Sequence, residues 1–127
     1  MIVGIGIDIV ETARIRQSIE RYGERFTGRI YTQREIHYCE RFKLREERYA
    51  ARFAAKEAVF KALGTGWREG VKWLDVEVLN QASGKPELLL YGRAQELAHS
   101  LGVSRTAISI SHADHYAVVQ VVFESDG

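Results

Sequence analysis

The chain opens on an alternation of period two. Val3, Ile5, Ile7 and Ile9 fall on one face of a strand over residues 2–10, and Gly4, Gly6 and Asp8 fall on the other. The aliphatic face is expected to meet the core, backed by a face stripped of side chains that ends in one carboxylate. The period then lengthens to that of a helix. Thr12 reads as its cap, and Ile15, Ile19, Tyr22 and Phe26 form an apolar stripe that carries it to about Phe26. Arg14, Arg21 and Arg25 share a second stripe with Ser18 between them, so this helix pairs an apolar side with a basic one.

Thr32 followed by Glu35 matches a capping box and opens a shorter helix through Ile36 and Cys39. After the charged stretch ERFKLREER comes the longest helical signal, residues 46–63, rich in alanine and closed by Gly64. Its apolar positions run most of the way round, which predicts a largely buried helix. GTGWREG follows as a glycine-rich loop. Leu74, Val76 and Val78 alternate with Asp75 and Glu77 as a half-exposed strand should, NQASGKP turns the chain, and ELLLY returns it. Ala94, Leu97, Ala98 and Leu101 mark a short helix stopped by Gly102, and ISIS and YAVVQVVF flank a tight HADH hairpin. Two hairpin-like pairs interleaved with helices predict an α+β single domain over residues 1–127, mainly an antiparallel sheet packed against one long central helix.

Composition narrows the function classes. A chain of 127 residues, 46% hydrophobic, suits one core and is too short for two. Eighteen basic residues against 17 acidic give a net charge of +1, with no global nucleic-acid signature, so electrostatic recognition must be local. A single cysteine, Cys39, allows no internal disulfide and favours a reducing compartment. The first ten residues lack the basic region and cleavage pattern of a leader, and no apolar run reaches the ~18 residues needed to cross a bilayer. These features together lead us to expect a soluble cytoplasmic domain with neither nucleic acid nor membrane as partner.

Two places concentrate chemistry. Asp8 ends a strand whose neighbours on the same face are glycines, which leaves room for a ligand to approach the backbone; a capping aspartate beside packing glycines fits the strand equally well. Arg52, Lys56, Glu57 and Lys61 sit in a helix otherwise built from Ala, Val and Phe. Glu57 and Lys61, at i and i+4, could simply pair. Burying several charges without a ligand is costly, however, and alanines at 50, 54 and 58 are expected to leave Glu57 open. One carboxylate among several cations suits a magnesium polyphosphate, with oxygen ligands on the metal and cations on the phosphates. The loop opened by Gly64 could close over phosphates with its amides, although it is neither a Walker loop nor a dinucleotide fingerprint. His112 stands out at the hairpin tip. No Cys/His spacing suits zinc, and Ser109, Ser111, His112 and Asp114 lack a nucleophile elbow. The arginine stripe fits an ordinary solvated face, while three cations with no acid among them also suit an acidic partner.

Three segments, GIGIDIVETARI, RFAAKEAVFKALGTG and ISISHADHYAVV, taken in this order and spacing, resemble the small bacterial type of the 4'-phosphopantetheinyl transferase family, a likeness that extends over nearly all the chain. The resemblance implies transfer of phosphopantetheine from coenzyme A to a serine of apo-acyl carrier protein in fatty acid biosynthesis, with adenosine 3',5'-bisphosphate as the other product. It implies that Asp8 and Glu57 hold Mg²⁺, that Glu57 or a metal-held water takes the serine proton, and that Lys61 stabilises charge on the departing phosphate. It places Arg52, Lys56, Gly64 and His112 along the coenzyme's phosphates and Lys85 with Pro86 beside its adenine. Arg14, Arg21 and Arg25 would dock the acidic carrier protein, and the assembly would be a homotrimer with active sites between subunits. The alternatives are a metal-dependent phosphohydrolase of coenzyme A or a nucleotide, a non-catalytic phosphate-binding module, and a structural trimer whose buried charges pair across subunits.

Overall fold

The structure, a computed structural model, describes residues 1–64 and 68–127. The chain forms β1 (Ile2–Glu11), α1 (Thr12–Tyr22), α2 (Glu24–Ile30), α3 (Gln33–Cys39), α4 (Arg45–Leu63), β2 (Val76–Asn80), β3 (Pro86–Leu90), α5 (Gly92–Ser100), β4 (Val103–Ala113) and β5 (Tyr116–Ser125). β5 is the middle strand of a three-stranded antiparallel sheet ordered β1-β5-β4, and β2 pairs with β3 in a separate antiparallel hairpin. Both expected hairpins and the α+β class are present. Residues 65–67 of the expected phosphate-closing loop lie outside the described residues.

α4 crosses one face of the three-stranded sheet, and its alanines explain how. Ala50, Ala54, Ala55 and Ala58 are buried on the helix, while Ala117, Val119, Val121 and Phe123 are buried on β5. Opposite them on β1 stand Gly4 and Gly6. A Cβ added at Gly6 would lie 1.8 Å from the carbonyl oxygen of Ala58, and one at Gly4 would lie 2.5 Å from that of Ala62. Glycine here gives the helix backbone direct access to the strand. This reverses the expected polarity of β1: the glycine face meets the core, and Ile5, Ile7 and Ile9 are 53%, 55% and 60% exposed. The physical reason is steric, because a helix lies closest to the face without side chains. The alanines expected to open space around Glu57 are instead buried packing surface. Gly6→Ala should therefore cost at least about 2 kcal/mol through overpacking against an unyielding carbonyl, read as a lowered denaturation midpoint.

Local signals had mixed outcomes. Thr32 and Glu35 form a full capping box on α3, and Gly64 closes α4 in the left-handed conformation, φ 78°. The first helix does not run to Phe26. It ends at Tyr22, where Gly23 at φ 56° and ψ −131° turns the chain into α2, and Thr12 is its first residue rather than its cap. β2 is not half-exposed, because Val76, Glu77 and Val78 are all buried. Glu77 accepts hydrogen bonds from Thr32 Oγ1 at 2.5 Å, Arg34 Nη2 at 2.6 Å and the Tyr91 hydroxyl at 2.7 Å, and these hold its carboxyl below the usual range despite burial.

Candidate active site

Asp8 lies two residues beyond Gly6 on the same face of β1, so the close approach of α4 brings it to the helix flank that carries Glu57 and Lys61. Lys61 Nζ donates to Asp8 Oδ1 at 3.0 Å and to the Ile7 carbonyl at 2.8 Å. The sequence allowed a simple Glu57–Lys61 pair; Lys61 instead reaches across to the strand. Glu57 is held above the ordinary carboxylate range, first by burial and then by the negative charge of Asp8, with Lys61 and Arg14 pulling the other way. Two carboxylates, one lysine and one arginine from α1 thus converge on one point.

This donor set fits a hard divalent cation. Asp8 and Glu57 repel each other in a half-buried site, and a cation between them would remove that penalty. Among the described residues the acidic groups here come as a pair, not as a cluster of three or more. A low count of protein oxygens is what Mg²⁺ takes when substrate phosphates and water complete its shell.

The opposite flank of α4 carries a second feature. Glu57 follows Arg48 by nine residues, about two and a half turns, which sets the stripe of Arg48 and Arg52 half a turn away from that of Glu57 and Lys61. Arg48 and Arg52 line a cleft of about 410 Å³ with Tyr38, Asn80, Pro86 and His112, and Ile108 and Ile110 form an apolar wall. Arg52 is 2% exposed, lies 4.4 Å from the centre of the Tyr38 ring and donates from Nη2 to Asn80 Oδ1 at 2.6 Å. Its Nε is buried without a hydrogen-bond partner among the described residues. His112 is pushed below the ordinary histidine value, first by burial and then by the Arg48 guanidinium, with Glu47 opposing. A cleft with two guanidinium groups, apolar walls and no carboxylate in its lining can hold a phosphorylated ring compound.

The remaining expected site residues separate. Lys56 does not reach the cleft or the carboxylate pair. It is fully buried, with Nζ 2.8 Å from Glu35 Oε1 and bonded to the carbonyls of Trp73 and Val76. Those three acceptors use all its protons, so it ties α3, α4 and β2 together and has none left for phosphate. Burial lowers its pKa, and the charge of Glu35 opposes that shift. Gly64 caps α4 beyond Lys61. Lys85 sits in the β2–β3 turn between Gly84 and Pro86, both on the cleft wall. Arg14 and Arg21 project from α1 and Arg25 from α2, all exposed. Arg48, Tyr38 and Asn80 were missed. The only signal for Arg48 was its i, i+4 relation to Arg52.

The sequence of residues 4–120 matches the model of the 4'-phosphopantetheinyl transferase superfamily. A holo-[acyl-carrier-protein] synthase of Solibacter usitatus is 55% identical over 125 residues, covering 98% of this chain and 100% of the relative. Among solved structures, a holo-(acyl-carrier-protein) synthase from Bacillus anthracis in complex with CoA (3',5'-ADP) is 41% identical with a TM-score of 0.82, covering 99% of each chain. The synthase of Neisseria meningitidis is 38% identical with a TM-score of 0.87, covering 98% of this chain and 100% of the other.

Proposed function

The chain belongs to the 4'-phosphopantetheinyl transferase superfamily, and on that premise we propose that it moves the 4'-phosphopantetheine group of coenzyme A onto a serine of apo-acyl carrier protein. The products are holo-acyl carrier protein and adenosine 3',5'-bisphosphate. The observation that carries this reading is the convergence of Asp8, Glu57 and Lys61 through the glycine face of β1. Release of the bisphosphate in step with modification of the carrier protein tests it. Release without modification would make the protein a hydrolase.

Asp8 and Glu57 would hold Mg²⁺, which supplies Lewis-acid polarisation at the attacked phosphorus. The new bond joins the serine oxygen to the phosphorus bearing pantetheine, and the bond broken is the pyrophosphate bridge. Glu57 accepts the serine proton. Lys61, fixed by the Ile7 carbonyl and Asp8, presents positive charge to the leaving phosphate without reorganising. Arg52, Asn80 and Tyr38 hold the nucleotide half in the cleft.

Two surfaces complete the reading. Arg25 and Arg29 line a groove with Tyr22, Phe26 and Trp73, and Arg21 lies over the Tyr22 ring, which suits an acidic helix with apolar anchors. Arg21→Glu with Arg25→Glu should raise KM for the carrier protein about tenfold and KM for coenzyme A by less than about twofold, the difference shrinking in high salt. Arg14 is kept in that variant because its charge reaches Glu57. The outer sheet face carries a row of large side chains, Ile5, Ile7 and Ile9, on one edge strand and a row of small ones, Ala107, Ser109 and Ser111, on the other. Large against small at opposite edges is a head-to-tail match, the kind that closes into a ring. A homotrimer is the assembly we assign. Asp8 pairs with Val119, which pairs with Ile110, so a full strand separates the carboxylates from the cleft wall. That separation, with α4 between, supports active sites built from two subunits. With no helix long and apolar enough to cross a membrane among the described residues, and with a single buried cysteine, we assign the protein to the cytoplasm.

A further inference from the structure

Lys56 takes no part in the chemistry above, yet both walls of the groove between α2 and Trp73 meet at its buried ammonium. One wall is Trp73 itself. Its carbonyl accepts from Lys56 Nζ at 3.1 Å, and its ring lies 5.0 Å from that of Phe53 and 5.3 Å from that of Phe60. Phe53, Lys56 and Phe60 share one stripe of α4. The other wall is Phe26, whose ring meets that of Tyr31 edge-on at 6.1 Å, and the Tyr31 ring lies 5.8 Å from Lys56 Nζ. Four residues beyond Tyr31, Glu35 completes the ion pair with Lys56 at 2.8 Å, and the Val76 carbonyl takes the remaining proton. The next residue along α4 is Glu57.

We infer that Lys56 is a positioning residue for recognition of the carrier protein: it sets the width of the groove and the groove's registry with Glu57. The inference rests on the carrier-protein reading of that groove. Trp73 belongs to a single turn, Trp73–Asp75, which is too short to hold a wall in place by itself. An ammonium with three fixed acceptors is a tetrahedral anchor, and it holds that turn at one distance from α3 and α4. A buried ion pair is weak evidence for stability, because apolar side chains of similar volume often pack as well. What they do not supply is a donor aimed at the Trp73 carbonyl.

The test pairs Lys56→Met with Glu35→Gln, because Lys56→Met alone strands a buried carboxylate and risks unfolding the chain. Glutamine keeps an acceptor for the buried Val78 N–H. Calorimetry then follows binding of apo-acyl carrier protein and, separately, of coenzyme A. A misplacement of about 1 Å far from the reacting atoms costs up to about 10²-fold. Kd for the carrier protein should rise about tenfold in the paired variant, and Kd for coenzyme A by less than about twofold. Trp73→Leu should raise the carrier-protein Kd to a similar extent, and adding it to the pair should bring little further loss, since both remove the same wall. An unchanged carrier-protein Kd in the pair, an equal rise for both ligands, or losses that add in full would overturn the assignment. If the wild type binds the carrier protein and transfers nothing, the transferase reading fails, and Lys56 is still decided by the same comparison of Kd values. A wild type that binds no carrier protein would overturn the role of Lys56.

Discussion

Asp8→Asn and Glu57→Gln should each lower kcat/KM for transfer by at least about 10³-fold, the scale on which loss of a charge-stabilising or metal-holding group acts. Neither change should unfold the protein, and Glu57→Gln should do the reverse. Burial and the charge of Asp8 raise the folded-state pKa of Glu57, so the fold favours its neutral form. The stability this brings is fully present below the pKa of an ordinary glutamate and is lost as pH rises through the raised value. At neutral pH the ionised side chain is therefore a burden that glutamine removes. Because solvent screens a half-exposed group, the gain is small, a rise in Tm of about 1–2 °C without metal. It should disappear below about pH 4, where both forms are neutral. Millimolar Mg²⁺ should raise the Tm of the wild type and not that of the variant. A lower Tm for Glu57→Gln at neutral pH would contradict the repulsion between the two carboxylates.

Asp8→Asn and Arg52→Met, each inactive alone, should restore one another when mixed in the same assembly. The carboxylate pair and the cleft occupy opposite flanks of α4, so in a ring of three each site would draw its carboxylates from one subunit and its cleft from the next. A random equal mixture then gives about one quarter of sites with both halves intact. Co-refolded variants should show about a quarter of wild-type activity, well above either parent. Activity no higher than the parents' would mean that each site is built within one chain. Arg52→Met keeps the buried stem and removes the guanidinium that stacks on Tyr38, so loss of the fold is not the expected cause of its inactivity.

The sequence made the site legible where chemistry and period coincide. Asp8 interrupts a glycine face, Glu57 and Lys61 share a helical stripe, and the fold brings all three together. Thr32 and Glu35 announced their capping box because that motif is local. Alternation on β1 established which residues share a face but could not say which face a helix would cover. That choice follows from the contact of Gly4 and Gly6 with Ala62 and Ala58, which only the tertiary structure reveals. Lys56 was misread for a related reason. A charge in an apolar helix signals either a ligand or a buried partner, and its partner Glu35 lies on another helix. Glu77 fell to the same ambiguity, since the residues that satisfy it, Thr32, Arg34 and Tyr91, come from distant segments. Arg48 and Asn80 carry no motif at all, and only the closing of β2 and β4 around α4 places them in one cleft.

The most direct test of the central claim is the intact mass of apo-acyl carrier protein after incubation with this protein, coenzyme A and Mg²⁺, beside a chelator control. The account predicts a gain of one phosphopantetheine, localised to a serine, with Mg²⁺ and none with chelator. An unchanged mass while coenzyme A is consumed, or a gain that persists in chelator, would contradict it.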